Sequence, residues 1–290
     1  MAGIGGGDEA RSGAVTTRFN DRVRVTRPWR QELRPYVHCY DGYRVAAATS
    51  YRVRLVPRGR AVVVINLGEP FAQVFRLSEA DPGVRVVGSL VAGLEDGPRV
   101  CDHPGGQEAI RLELTPLGAY RLFGVPMREL TNTVTELRDV LGPEADELVE
   151  RMSATPDWAR RFDLLDAALL TRLDGGPDPS PEVAHAWRLL TRSAGTIPVA
   201  RIATEVGWSH GHLVRRFTQQ VGLTPKMSAR VLRFHRSVEL LSREGTDLGD
   251  LAATCGFYDQ AHLNREFRAL AGVTPLGMAA ARRVEGAHEL

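Results

Sequence analysis

Gly256–Pro275 reads GFYDQAHLNREFRALAGVTP: a turn, then a short helix with one apolar face and one face crowded with hydrogen-bonding groups. Gly207–Pro225, GWSHGHLVRRFTQQVGLTP, is a second version of the same unit. Each is preceded by a short amphipathic segment. Val199, Ile202, Ala203 and Val206 fall at i, i+3, i+4 and i+7, and Leu248, Leu251, Ala252 and Cys255 repeat the spacing. Gly207 and Gly256 then stand where a left-handed turn costs least. Ser209 and Asp259 are N-cap residues, followed at cap+4 and cap+8 by Leu213 and Phe217, and by Leu263 and Phe267. Two helices joined by a short glycine-containing turn, the second one amphipathic, form the helix-turn-helix pattern, and here it occurs twice.

Helical geometry states which side chains are free. At about 100° per residue, cap+4 and cap+8 facing the core leave cap+2 and cap+6 outward, with cap+3 and cap+5 on the flanks. In the second unit these are Ala261, Arg265, His262 and Asn264, with Gln260 at the helix start. Arginine can bridge O6 and N7 of guanine, and Asn or Gln can pair with N6 and N7 of adenine. In the first unit the outward set is Gly211, Arg215, His212 and Val214, with His210 at the start. It is poorer in base-reading groups, so Arg215 is expected to carry most of its direct readout. The two histidines suit phosphate contact or plain surface better than base reading. Trp208 and Phe257 read as core packing, and Cys255 as a buried inert thiol.

Between the units, Met227, Val231, Phe234, Val238 and Leu241 step by +4, +3, +4 and +3. That spacing predicts one continuous helix over Pro225–Ser242, about 27 Å long. Such a strut could hold two recognition helices near the ~34 Å separation of successive major grooves. Lys226, the single lysine of the chain, stands at its start.

Working outward, the 290 residues suffice for two domains, each with its own core. The first 17 residues are Gly-rich and polar and read as a disordered tail. Residues 18–114 read as β-rich: Tyr51–Pro57 alternates, Ala61–Leu67 is a β-branched run, and Ile110, Leu112 and Leu114 alternate with Arg111 and Glu113. Several short strands between turn clusters favour a small barrel or sandwich, a candidate sensor or dimerisation domain. At Thr115-Pro116 the period changes, and residues 115–173 read as a helical connector with helices at Pro116–Phe123, Met127–Leu141, Pro143–Met152 and Pro156–Leu173. Asp174–Ser180, DGGPDPS, reads as a linker, with Ser180-Pro181 capping the next helix. Residues 181–285 then form an all-α unit. The fold class expected is α+β. From Pro181 onward the formal charge is +4, against −2 for the rest, a mild tilt in the direction nucleic acid favours.

The two units, GWSHGHLVRRF…VGLTPK and GFYDQAHLNREFRALAGVTP, resemble the AraC/XylS family of bacterial transcription regulators almost position for position over Ile197–Pro275. The segment Leu114–Trp158 is also similar to the region preceding this domain in a subgroup of that family. The resemblance implies a seven-helix DNA-binding domain with two helix-turn-helix units. It carries base contacts onto the outward positions, chiefly Arg215, Gln260, Asn264 and Arg265. It also implies a sequence-specific regulator on double-stranded DNA, controlled by its N-terminal half. RNA polymerase, a small-molecule effector and a second copy of the chain are open as further partners.

The competing class is an enzyme carrying such a module, a metal- or thiol-dependent repair activity centred on Cys39 or Cys101. Against it, no nucleophile elbow, phosphate loop or paired-carboxylate motif is found, and no cofactor motif. His38-Cys39 and Cys101-x-His103 supply four soft ligands, but adjacent strand residues point to opposite faces. His38 and Cys39 are therefore not expected to share an ion, and no metal is assigned. Three scattered cysteines make no disulfide framework, and no apolar run approaches a membrane span, so a cytoplasmic protein is expected.

Overall fold

The computed structural model describes residues 14–19, 22–46, 50–70, 72–78, 80–241 and 247–284. Its N-terminal half contains two antiparallel sheets. The larger is ordered β1 (Val15–Phe19), β2 (Arg22–Thr26), β3 (Val37–Val45), β10 (Gln107–Leu114), β5 (Ala61–Asn66), β8 (Leu90–Ala92) and β11 (Val134–Glu136). The smaller is ordered β4 (Tyr51–Leu55), β9 (Arg99–His103), β6 (Ala72–Arg76) and β7 (Val84–Val87). The N-terminal half is β-rich, as the expected fold class has it. The strands begin earlier, however: Val15–Thr17, read as tail, pair with Arg24–Thr26.

Alternation along the central strands divides their side chains between two cores. Ala61, Val63 and Ile65 face a helical layer together with Ile110, Leu112 and Leu114, whereas Val64 packs between the sheets with Phe75, Leu90 and Cys101. One end of the inter-sheet space is polar. Gln107 Oε1 accepts from the Tyr43 hydroxyl at 2.9 Å and lies 2.6 Å from His103 Nε2, while the Gly105 amide donates to His103 Nδ1. The proton of His103 therefore sits on Nε2. Burial holds its pKa below the ordinary imidazole value.

The helical layer comprises α1 (Pro116–Phe123), α2 (Leu137–Leu141), α3 (Pro143–Ser153) and α4 (Trp158–Gly175). Thr115 caps α1 as expected, accepting from the Gly118 amide. On α4, Asp166 receives Tyr40 Oη at 2.9 Å and Arg27 Nη2 at 2.7 Å, fixing the helix to β3 and to the residue that follows β2. The Trp158 ring lies against Gly42, where an added Cβ would come within 2.3 Å of it.

Met127–Leu141 is not one helix. A single 3-10 turn at Met127–Glu129 is followed by Asn132 at φ +58°, then by β11 and α2. Asn132 exchanges hydrogen bonds with Asp96, its amide donates to the Leu94 carbonyl, and Val134 pairs with Ala92. A sheet edge thus claims the residues that helical spacing had assigned to a stripe, and the connector contributes a strand to the β-domain. The Asp174–Ser180 segment also differs from a free linker. Helix α4 runs into it, Asp178 pairs with Arg121, and a Cβ on Gly176 would sit 2.0 Å from the Arg121 carbonyl oxygen.

Seven helices follow among the described residues: α5 (Pro181–Arg192), α6 (Val199–Glu205), α7 (His210–Val221), α8 (Pro225–Leu241), α9 (Leu248–Thr254), α10 (Gln260–Ala271) and α11 (Pro275–Val284). That is the number the resemblance implied. Helix α8 ends at Leu241, and Ser242 lies outside the described residues. Ser180 does not cap α5 with its side chain, because its hydroxyl and amide both turn to Gln220 Oε1 of α7.

Candidate nucleic-acid interface

Each helix-turn-helix unit is built as its residue pattern requires. Gly207 and Gly256 take φ +70° and +73°, closing α6 and α9. Ser209 Oγ and Asp259 Oδ1 accept from the amides of His212 and His262 at 3.3 and 2.6 Å, opening α7 and α10. Leu213, Phe217, Leu263 and Phe267 are fully buried. Trp208 and Phe257 pack edge-on against His212 and His262 at ring separations of 4.5 and 5.4 Å. The units are not identical. Three residues separate Gly256 from the first residue of α10, and two separate Gly207 from that of α7. The extra residue, Tyr258, is 92% exposed.

Burial follows the helical wheel. Gly211, Arg215, Gln260, Ala261 and Arg265 are exposed, and His212, Val214, His262 and Asn264 are half-buried flanking residues. Among the described residues Arg265 has no ion pair or side-chain hydrogen bond, and Arg215 has only its contact to His212 Nδ1 at 3.2 Å. Both guanidiniums are thus available to an external partner. The histidines are more engaged than their positions suggested. His262 Nδ1 accepts from the Tyr258 amide at 3.3 Å, and its Nε2 lies 3.8 Å from Glu266. They brace the turn to the helix.

Helix α8 carries both units. Phe234 meets Phe267 edge-on at 5.0 Å, and Arg230 holds Glu266 through Nε–Oε2 and Nη2–Oε1 contacts of 3.0 and 3.1 Å. A two-point guanidinium–carboxylate contact fixes orientation as well as distance, so α10 cannot roll freely about its axis. This pair was missed in the sequence, although a carboxylate beside the Leu263/Phe267 stripe was a signal that it needed a partner. Exposed Lys226 lies in the first turn of α8.

The N-terminal half touches both units. Gly222, closing α7, has no room for a Cβ beside Thr131 Oγ1 (2.9 Å) on the 127–133 segment. Arg54 of β4 donates to the Ala271 carbonyl at the end of α10. The loop between β4 and β5 lies on α8, where a Cβ on Gly59 would be 3.6 Å from Val231.

Of the four soft ligands noted in the sequence, Cys101 and His103 are buried between the sheets. Burial pushes the Cys39 thiol up to about 11 and Cys101 up to about 12. The premise that His38 and Cys39 point apart is overturned. In the β3–β10 ladder Glu113 opposes Cys39 and Leu114 opposes Val37, so His38 is the extra residue of a bulge and the alternation breaks there.

Residues 202–281 match the family model of a helix-turn-helix domain, and residues 27–136 match a domain of unknown function, DUF6597. The chain is 34% identical to the HTH-type transcriptional regulator YbfI of Bacillus subtilis over 95 residues, which is 32% of this chain and 34% of that protein. It is 33% identical to the HTH-type transcriptional activator RhaR of Pectobacterium atrosepticum over 120 residues, or 39% and 42% of the two chains. It thus spans less than half the length of these curated relatives. Among solved structures, ToxT from Vibrio cholerae aligns with 83% of this chain and 97% of its own at 10% identity, with a TM-score of 0.46. The C-terminal domain of AraT from Geobacillus stearothermophilus aligns with 37% of this chain and 89% of its own at 21% identity, with a TM-score of 0.35. The C-terminal part of this chain is an AraC-type helix-turn-helix domain.

Proposed function

We propose that the chain is a sequence-specific DNA-binding transcription regulator that reads two successive major grooves under the control of its N-terminal half. The observation that carries this reading is the pair of exposed, arginine-bearing faces on α7 and α10, held to one helix. The 17 residues of α8 span about 26 Å, the same order as the ~34 Å repeat between successive major grooves. Arg265, Asn264 and Gln260 then read bases from α10 with Ala261 against the groove, and Arg215 reads from α7 beside Gly211 and Val214. Lys226, His212, His262 and the N-termini of both helices serve the phosphates.

Control by the N-terminal half is supported by the three seams it makes, with α7, with α10 and with α8. A shift in the β-domain has a direct mechanical route to both recognition helices. Double-stranded DNA is the partner this reading requires, and RNA polymerase, a small effector and a second copy are further partners to be tested. We place the protein in the cytoplasm with its DNA; none of the described helices is long and apolar enough to cross a membrane. We read it as a regulator rather than a thiol-dependent enzyme, since thiols held near 11 and 12 are almost wholly protonated at neutral pH.

Selection of bound fragments from the host genome tests the reading. Recovery of a recurring site protected over two adjacent helical turns supports it. Recovery of fragments with no shared sequence contradicts it.

A further inference from the structure

We propose that His38 and Cys39 of β3 and Glu113 of β10, neighbouring central strands of the larger sheet, form a binding site for a borderline divalent transition metal of the zinc type. One ligand atom from each lies within 4.8 Å of the other two. The bulge makes this possible. In an unbroken strand His38 would be carried to the face opposite Cys39, whereas the extra residue lets both turn toward Glu113 on the neighbouring strand.

The donor set is specific in its chemistry. An imidazole nitrogen, a thiolate sulfur and a carboxylate oxygen are the three ligand types zinc accepts, at about 2.0–2.3 Å, and a tetrahedron of that size has edges of about 3.3–3.8 Å. Closing from 4.8 Å asks for shifts of about an ångström. The exposed His38 ring is free to make them without disturbing the core. Exposure of His38, half-burial of Cys39 and full burial of Glu113 give the site an open side for entry of the ion and for a fourth, water, ligand. On binding, the Cys39 S–H bond breaks, its proton passes to solvent, and sulfur bonds the ion. Thiolate and carboxylate together then neutralise the dication.

The competitors for Glu113 are named by the geometry. Arg60 donates to Glu113 Oε2 at 2.8 Å, Arg58 donates to Oε1 at 3.4 Å and Arg111 lies 3.8 Å from Oε1, so an ion takes Oε1 only by displacing the longer Arg58 contact. A carboxylate can give one oxygen to an ion and keep the other on a guanidinium, the outer-shell arrangement common around metal ligands. Arg58 and Arg60 flank Gly59, whose loop lies on α8, so filling the site bears on the segment that touches the strut. The site itself stands apart from any reading of DNA by that domain.

The test is titration of chelator-treated full-length protein with cobalt(II), a spectroscopic stand-in for zinc. One equivalent should bind with a thiolate-to-cobalt charge-transfer band. Cys39→Ser should abolish the band. His38→Ala, at an exposed position that does not threaten folding, should weaken binding on the order of tenfold or more and alter the visible d–d bands. Far-ultraviolet circular dichroism verifies that each variant is folded. Absence of the charge-transfer band in the parent protein, or a band and affinity unchanged in either variant, would overturn the proposal.

Discussion

Arg230 on α8 grips Glu266 on α10 with two parallel contacts of 3.0 and 3.1 Å, and through them the strut sets the rotation of the second recognition helix. Arg230→Ala leaves a nearly buried carboxylate without its partner. Hydrogen bonds to charged groups contribute roughly 1.5–3 kcal/mol, and with Arg230 partly exposed a loss of about 2 kcal/mol is expected in urea unfolding of the full chain. A loss below about 0.5 kcal/mol, within what a plain surface substitution gives, would show the pair to be incidental.

The two turn glycines should respond unequally to alanine. Both have positive φ, which costs a residue with a Cβ roughly 1–2 kcal/mol. A Cβ at Gly207 meets nothing within 4 Å, whereas at Gly256 it would lie 2.8 Å from Thr196 Cγ2. Gly256→Ala is therefore expected to lower the thermal midpoint more than Gly207→Ala. The reverse order would contradict the described turn.

Acid should destabilise the β-domain through His103. Its folded pKa lies below the unfolded 6.5 because burial disfavours the imidazolium. Above 6.5 both states are neutral and the group contributes no slope. As pH falls through 6.5 the unfolded chain takes up the proton first, so stability declines. His235 is shifted in the same direction, also chiefly by burial. His103→Gln should flatten, without abolishing, the fall in stability between pH 6.5 and 5. An unchanged slope would remove His103 from the account.

In the metal-free protein the thiols should be inert. With pKa values near 11 and 12, the thiolate fractions of Cys39 and Cys101 at pH 7 are about one in ten thousand or less. Labelling by a thiol reagent should be at least about a hundredfold slower in native protein than in urea. Rapid native labelling of either residue would reopen the thiol-dependent enzyme.

What was legible in the sequence was whatever depended on local period and local chemistry. Leu213/Phe217 and Leu263/Phe267 located the buried faces of α7 and α10, and Ser209, Asp259 and Thr115 located helix starts, because a cap and its helix are neighbours in the chain. Met127–Leu141 failed for the opposite reason. Leu130, Val134 and Leu137 have helical spacing, yet Thr131, Thr133, Val134 and Thr135 are β-branched, and the decision between the two rests with Ala92 and Asp96, some forty residues away. The His38 bulge was equally out of reach. It is a register fault between β3 and β10, and nothing within β3 announces it. Tyr258 was hidden differently: aligned by their glycines or by their Leu/Phe pairs, the two units look alike, and only both alignments together expose the extra residue.

The most direct measurement compares Arg265→Ala with Lys226→Ala on a selected operator and on random DNA across a salt series. Arg265→Ala should cost roughly 1–3 kcal/mol on the operator and little on random DNA. Lys226→Ala should weaken both alike and reduce the salt slope by about one. Equal losses on operator and random DNA for both variants would contradict the assignment of α10 as a helix that reads sequence.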